Sequence, residues 1–136
     1  MSKNQVLDLI DQECQRQQDM IGLIPSENIT SQAVSAVLSS CLSNKYSEGY
    51  PLRRYYEGNQ VIDQIELLAL DRIKKLFGVP YVNVQPYSGS PANSAIQFAL
   101  LQPGDTLMGL ALSSGGHLTH GHPNVTFSGK FFKTIQ

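Results

Sequence analysis

Three features of the sequence predict an α/β layered fold. Residues 81–112 read as strand, helix and strand at the spacing of one β-α-β unit. Upstream of them lie segments whose apolar residues recur at helical period. Downstream, residues 125–127 and 131–135 look like further short strands.

The elements follow in chain order. Val6, Ile10 and Cys14 repeat at i, i+4, i+8, with Leu7 beside them, so residues 4–19 are expected to form an amphipathic helix. Gly22-Leu23-Ile24-Pro25-Ser26-Glu27-Asn28 has no period and contains a proline. Thr30 or Ser31 suits an N-cap, and Val34, Val37, Leu38, Cys41 and Leu42 then form an apolar stripe. Residues 44–56 hold four tyrosines, one carboxylate and three cations without a helical or strand period. With Gly49 and Pro51 inside, the stretch reads as a loop, either simply solvated or presenting polar groups to a ligand. Asn59 is a candidate cap for a helix reaching Phe77, with Ile62, Ile65, Ala69, Ile73 and Leu76 on its apolar face and Leu68 beside Ala69. Gly78 and Pro80 supply its stop. Residues 81–84 are expected as a strand, 91–101 as a helix with Ser90 as N-cap and Pro91 at the first helical position, and 106–112 as a second strand.

Composition narrows the class. A chain of 136 residues, 41% hydrophobic and 15% charged, suits about one globular domain with a core. A net charge of −1 offers no electrostatic case for nucleic acid or an anionic membrane. No apolar run approaches the ~20 residues of a membrane span, and the first residues lack the apolar region of a signal peptide. A cytoplasmic location is the expectation. Cys14 and Cys41 fall on apolar stripes, which predicts buried free thiols and no disulfide framework.

Three places are suited to chemistry. Ser88-Gly89-Ser90 stands between the expected strand and helix, where free amide N–H groups and the helix dipole favour an anion. Two hydroxyls and a glycine there either cradle a phosphate or merely cap the helix. Gly115-Gly116-His117-Leu118-Thr119-His120-Gly121-His122 follows the second strand, at the carboxyl end where α/β sheets bind ligands. Its three histidines have no nearby Asp, Glu or Cys to complete a metal shell. An imidazole lying flat on an aromatic ligand fits as well. Glu48, alone among phenols, is either a proton-transfer group or a hydrogen-bonded surface carboxylate.

These residues, taken in order, resemble the N-terminal part of serine hydroxymethyltransferase. The matching pieces are Leu23-Ile24-Pro25-Ser26-Glu27-Asn28, Asn44-Lys45-Tyr46-Ser47-Glu48-Gly49-Tyr50-Pro51, Arg54-Tyr55-Tyr56, Asn83-Val84-Gln85-Pro86, Ser88-Gly89-Ser90, Ala92-Asn93, residues 115–121 and Phe127-Ser128-Gly129-Lys130. The resemblance implies a pyridoxal-phosphate-dependent transferase of fold type I. Residues 1–58 would be an N-terminal helical arm with a dimer and active-site loop, and 59–136 the first, truncated part of the large cofactor-binding domain with an incomplete sheet. It implies interconversion of serine and glycine with tetrahydrofolate as the one-carbon carrier. It also implies an obligate homodimer or tetramer with shared sites.

The resemblance assigns roles residue by residue. Ser26 would bind the substrate carboxylate. Ser88, Gly89 and Ser90 would hold the cofactor phosphate, and His117 would stack on its ring. Glu48 would move a proton beside the substrate hydroxyl. Leu112, Gly116 and Leu118 would line the folate site. Tyr46, Glu48, Tyr55 and Tyr56 would reach into the neighbouring subunit, Tyr46 toward the cofactor and Tyr55 and Tyr56 toward substrate, and Glu48, Tyr56 and His117 would be the catalytic groups. No metal site is implied.

The chain also departs from the family pattern. Leu52 stands where many members have Gly, and Glu57 where most have Gly after the paired tyrosines. Ser113 and Ser114 replace a more usual Ala-His or Pro-Asp pair. The family's Schiff-base lysine, pyridinium-partner aspartate and carboxylate-binding arginine would fall beyond position 136, so these residues alone are expected to be inactive. A split-enzyme half, a non-catalytic phosphate-binding module and a threonine aldolase are the competing readings.

Overall fold

The computed structural model describes residues 4–136, so residues 1–3 of the expected arm lie outside the described residues. The chain divides into two compact units, Met1–Tyr46 and Ser47–Gln136.

In the first unit, helix α1 spans Gln5–Asp19, and Asn4 caps it by accepting a 3.2 Å hydrogen bond from the Val6 N–H. Helix α2 spans Gln32–Leu38, with Ser31 as the cap accepting from the Val34 N–H. It stops before Cys41 and Leu42, which fall in a 3-10 turn, Cys41–Asn44, so they leave the expected stripe. Serine hydroxyls explain the stop. Those of Ser39, Ser40 and Ser43 donate to the carbonyls of Ser35, Val37 and Leu38, competing with continuation of the helix. Neither α1 nor α2 contains a buried residue, and Cys14 and Cys41 are both exposed, against the expectation of buried thiols. Helical period identifies an apolar face; burial requires a second surface against it.

The second unit opens with a hairpin inside the tyrosine-rich stretch. Strands β1 (Gly49–Tyr50) and β2 (Arg53–Arg54) pair antiparallel, Gly49 against Arg54 and Tyr50 against Arg53. Pro51 and Leu52 make the turn. Leu52 has φ +64°, the sole positive φ outside glycine among the described residues. Proline first and a positive φ second is the arrangement of a type II turn. Gly49 has φ +102°, and a Cβ there would lie 2.5 Å from the Arg53 carbonyl oxygen. Only glycine fits that approach.

Helix α3 (Gln60–Phe77) ends as its sequence demands, with Gly78 left-handed at φ +63°. Its buried residue is Asp63, not a member of the expected apolar face. Residues 81–84 form no strand. The Asn83 side chain instead accepts from the Gln85 N–H in a local turn. Helix α4 (Gly89–Leu100) starts earlier than expected. Ser88 is its N-cap, and Ser90 and Pro91 lie within its first turn.

The parallel pair is therefore not the one expected. Strand β3 (Thr106–Met108) pairs in parallel with strand β4 (Lys133–Ile135), Leu107 opposite Thr134. The crossover contains a 3-10 turn, Leu112–Ser114, and helix α5 (Phe127–Phe131), so residues 106–112 are strand only to Met108 and 125–127 are not a strand. Phe127 explains the change at 125–127. Its ring packs 4.7 Å from Phe98 of α4 and 4.4 Å from Phe131, and it meets Phe132 edge-on. An aromatic cluster overrides the local strand preference. Phe132, 6% exposed, is the buried apolar residue of the described chain; Asn59, Asp63, Gln97 and Ser128 are buried polar ones.

Replacing Leu52 by glycine tests the hairpin. A left-handed residue with a Cβ costs about 1–2 kcal/mol, partly offset by the greater freedom of glycine when unfolded. Leu52→Gly is expected to raise stability by about 0.5–1 kcal/mol, read from the urea midpoint with an unchanged slope.

Candidate active site

Two polar clusters of the second unit position the candidate residues. The first is built on Arg54. Its Nε donates to Asp63 Oδ1 at 2.8 Å and its Nη2 to Glu66 Oε2 at 2.6 Å. Its Nη1 donates to the carbonyls of Ser47 and Gly49, each at 2.8 Å. The side chains of Arg54, Asp63 and Glu66 are 5%, 11% and 15% exposed. Asp63 and Glu66 are three residues apart in α3, hence on one helical face. Asp63 also accepts from the Leu52 N–H at 3.0 Å. Gln85 Nε2 donates to the Gly49 carbonyl and to Glu66 Oε1. The hydrogen bonds to Glu66 and then Asp63 raise the Arg54 pKa above its ordinary value. The Arg54 guanidinium, and then the Leu52 N–H, hold the Asp63 carboxyl below its own.

This cluster fixes the loop that carries the phenols. The Tyr55 N–H donates to the Glu48 carbonyl at 3.1 Å, and Asn59 Nδ2 donates to the Tyr56 carbonyl at 2.8 Å. The side chains of Glu48, Tyr55 and Tyr56 are exposed. Glu57 is exposed too and has no positive φ; the left-handed residue at that bend is Gly58, φ +76°. The departure at 57 therefore introduces charge without backbone strain.

The second cluster joins the start of α4 to the histidine loop. Ser88, Gly89 and Ser90 are exposed at the helix N-terminus, and a Cβ on Gly89 would meet nothing within 4 Å. The first amides of a helix have no intrahelical acceptor, so this end offers N–H groups and hydroxyls together. One turn on, Asn93 Nδ2 donates to Thr119 Oγ1 at 2.8 Å, and Gln97 Nε2 donates to the Thr119 carbonyl at 2.7 Å. Ser128, 2% exposed, donates to the same carbonyl at 3.0 Å and accepts from the Gly121 N–H. The Thr126 hydroxyl holds the Leu118 carbonyl at 2.9 Å.

His117 is exposed, with its Nδ1 2.6 Å from Thr119 Oγ1. Its ring centroid lies 5.9 Å from that of His120. Gly116 is tightly enclosed, because a Cβ there would collide with the Leu110 carbonyl oxygen. Leu112 is exposed and Leu118 partly buried on either side of it.

The structure thus links His117 to the helix that begins with Ser88-Gly89-Ser90, and groups Glu48 with Tyr55 on the Arg54-braced loop. Ser26 and Tyr46 belong to the first unit. Ser26 is exposed; the Tyr46 carbonyl accepts from Lys45 Nζ at 3.1 Å. Sequence reasoning missed Arg54, Asp63, Glu66, Gln97 and Ser128 as organisers. The Asp63 and Glu66 spacing on α3 was the available signal, since two acids on one helical face near a cation-rich loop suggest a shared partner.

A family model described as serine hydroxymethyltransferase matches residues 1–136. A serine hydroxymethyltransferase of Acidothermus cellulolyticus is 61% identical over 131 residues, 96% of this chain and 30% of that protein. One from Desulfotalea psychrophila is 58% identical over 131 residues, 96% of this chain and 31% of that protein. One from Limosilactobacillus reuteri is 59% identical over 125 residues, 92% of this chain and 30% of that protein. The chain spans about a third of the length of the curated relatives it matches. This chain belongs to the serine hydroxymethyltransferase family.

Two outcomes check the Arg54 cluster. A lysine has one nitrogen and cannot span two carboxylates and two carbonyls. Arg54→Lys is expected to lower stability by about 2 kcal/mol in denaturant titration of the full-length protein. Asp63 is held ionised in the folded state, so its contribution is complete above the ordinary aspartate value of 3.8. It is lost as pH falls from there through the depressed folded value. Asp63→Asn is therefore expected to flatten the acid limb of the stability–pH curve. An acid limb as steep as that of the unaltered protein would remove Asp63 from that role.

Proposed function

We propose that this chain carries part of the active site of a pyridoxal-phosphate-dependent transferase of fold type I, which interconverts serine and glycine with tetrahydrofolate as co-substrate. The observation that carries the proposal is the Asn93–Thr119 hydrogen bond. It ties an anion-suited helix terminus to a loop whose histidine is within 2.6 Å of the same threonine.

The donor set fits the cofactor. Ser88 and Ser90 hydroxyls and the amides of Gly89 and Ser90 would hold the phosphate at the open end of α4. The imidazole of His117 would lie on the cofactor ring. When bound, the cofactor supplies an electron sink for the pair released at the substrate α-carbon. The chain's own residues orient the reactants and move protons. Ser26 would donate to the substrate carboxylate. Glu48 would hold or take a proton at the substrate hydroxyl, and Tyr55 and Tyr56 would close around it. Leu112, Gly116 and Leu118 would line the folate surface.

Tyr46, Glu48, Tyr55 and Tyr56 would act in the site of a neighbouring subunit, which makes a homodimer or tetramer the working form. Residues 1–58 then serve as arm and inter-subunit loop, and 59–136 as part of the cofactor-binding domain. A cytoplasmic location goes with this reading; no helix of the described residues is long and apolar enough to cross a membrane.

Titration of the full-length protein with pyridoxal phosphate, followed by visible absorbance, tests the phosphate cradle. Each hydroxyl bonded to a phosphate oxygen is worth about 1.5–3 kcal/mol, so Ser88→Ala and Ser90→Ala should each weaken binding by about tenfold or more. Unchanged affinity in the double variant would sink this placement of the phosphate.

A further inference from the structure

The hydrogen bonds around Thr119 determine where two imidazole protons reside. The Thr119 backbone N–H donates to His117 Nδ1 at 3.2 Å, so that ring nitrogen is an acceptor. The Thr119 hydroxyl, 2.6 Å from the same nitrogen, then faces it as a second donor, the two donors sharing one lone pair. With its hydrogen committed, Thr119 Oγ1 can only accept from Asn93, 2.8 Å away. The Asn93 atom facing it is accordingly the amide nitrogen; a carbonyl oxygen there would set two acceptors against each other. The same nitrogen lies 3.2 Å from His120 Nε2. An amide nitrogen has two hydrogens to give and no lone pair to offer, so His120 Nε2 is also an acceptor.

We propose that Asn93, directly and through Thr119, is a positioning residue that fixes the neutral forms of the two imidazoles in opposite tautomers, His117 as Nε2–H and His120 as Nδ1–H. Asn93 acts on the plane and the proton of His117. The Thr119 carbonyl is pinned by Gln97 and Ser128, so the threonine has little freedom to follow a rotating ring. Asn93 lies within α4, whose first residues are Ser88's immediate neighbours. A displacement of that helix terminus is therefore transmitted to both histidines by one side chain. This role deepens the cofactor reading for His117, while the tautomers themselves can be observed without any cofactor.

The test is a long-range proton–nitrogen correlation spectrum of the full-length protein with 15N-labelled histidine, at about pH 8, where free imidazoles are neutral. Signals are assigned with His117→Gln and His120→Gln. The expected spectrum places the His117 proton on Nε2 and the His120 proton on Nδ1. Asn93→Leu is expected to move His120 to averaged shifts between the two tautomers and to weaken the Nδ1 hydrogen-bond signature of His117. Thr119→Ser is expected to keep the native pattern, and Thr119→Val to disturb His117. A wild-type spectrum with His120 as Nε2–H overturns the proposal even if Asn93→Leu does not fold. So does an unchanged pattern in a folded Asn93→Leu protein. Failure of pyridoxal phosphate to bind, with the tautomers as stated, would sink the cofactor reading and leave this one standing.

Discussion

One largely buried guanidinium organises the hairpin half of the second unit. Two strands of two residues each do not hold themselves together in water. Arg54 makes them a fixed object by using four hydrogen bonds at once, two to carboxylates on α3 and two to carbonyls on its own loop. The carboxylates repay part of the desolvation, and the Leu52 N–H and Gln85 amide satisfy their remaining oxygens. Each member therefore depends on the others. Removing one leaves charge in a place where water does not easily reach, which is why the cluster behaves as a unit.

The histidine loop is organised the same way, with neutral groups in place of ions. Thr119 receives or gives hydrogen bonds through its hydroxyl, its carbonyl and its amide. Apolar packing adds the ring cluster of Phe98, Phe127, Phe131 and Phe132 on the elements that also carry Gln97 and Ser128. The specificity of the arrangement comes from the polar contacts, because stacked rings tolerate sliding and a saturated hydrogen-bond set does not.

How much of this was legible depends on the range of the interaction. Helix α1 and the left-handed stop at Gly78 follow from neighbours within five residues, and both were readable. The start of α4 was missed by two residues because three small residues in a row, Ser88, Gly89 and Ser90, all suit a cap. The strand expected at 81–84 failed because strand propensity needs a partner, and β3 pairs with β4 instead. Arg54 was hard to read as a hub because its partners lie 9 and 12 residues away, beyond any local period, and only the spacing of Asp63 and Glu66 on α3 pointed to it. In composition it looked like one of three solvated cations. For the site, the residues presenting chemistry stood out by type and order, whereas Asn93, Thr119 and Ser128, which hold them, resemble ordinary helix and loop residues.

That asymmetry has a physical basis. Groups that meet a ligand must be exposed and chemically distinctive: phenols, imidazoles, hydroxyls at a helix end. Groups that position them must be enclosed and saturated, and small amides and hydroxyls do this with little loss of side-chain entropy. The turn at Leu52 shows the limit of such saturation. Its N–H is satisfied by Asp63, yet its φ of +64° is unfavourable for a residue with a Cβ. The hydrogen bond and the ion cluster together outweigh local strain that no contact of the Leu52 side chain relieves, since that side chain is exposed. The geometry of the loop bearing Glu48 and Tyr55 is thus imposed from α3 rather than chosen by the loop's own residues.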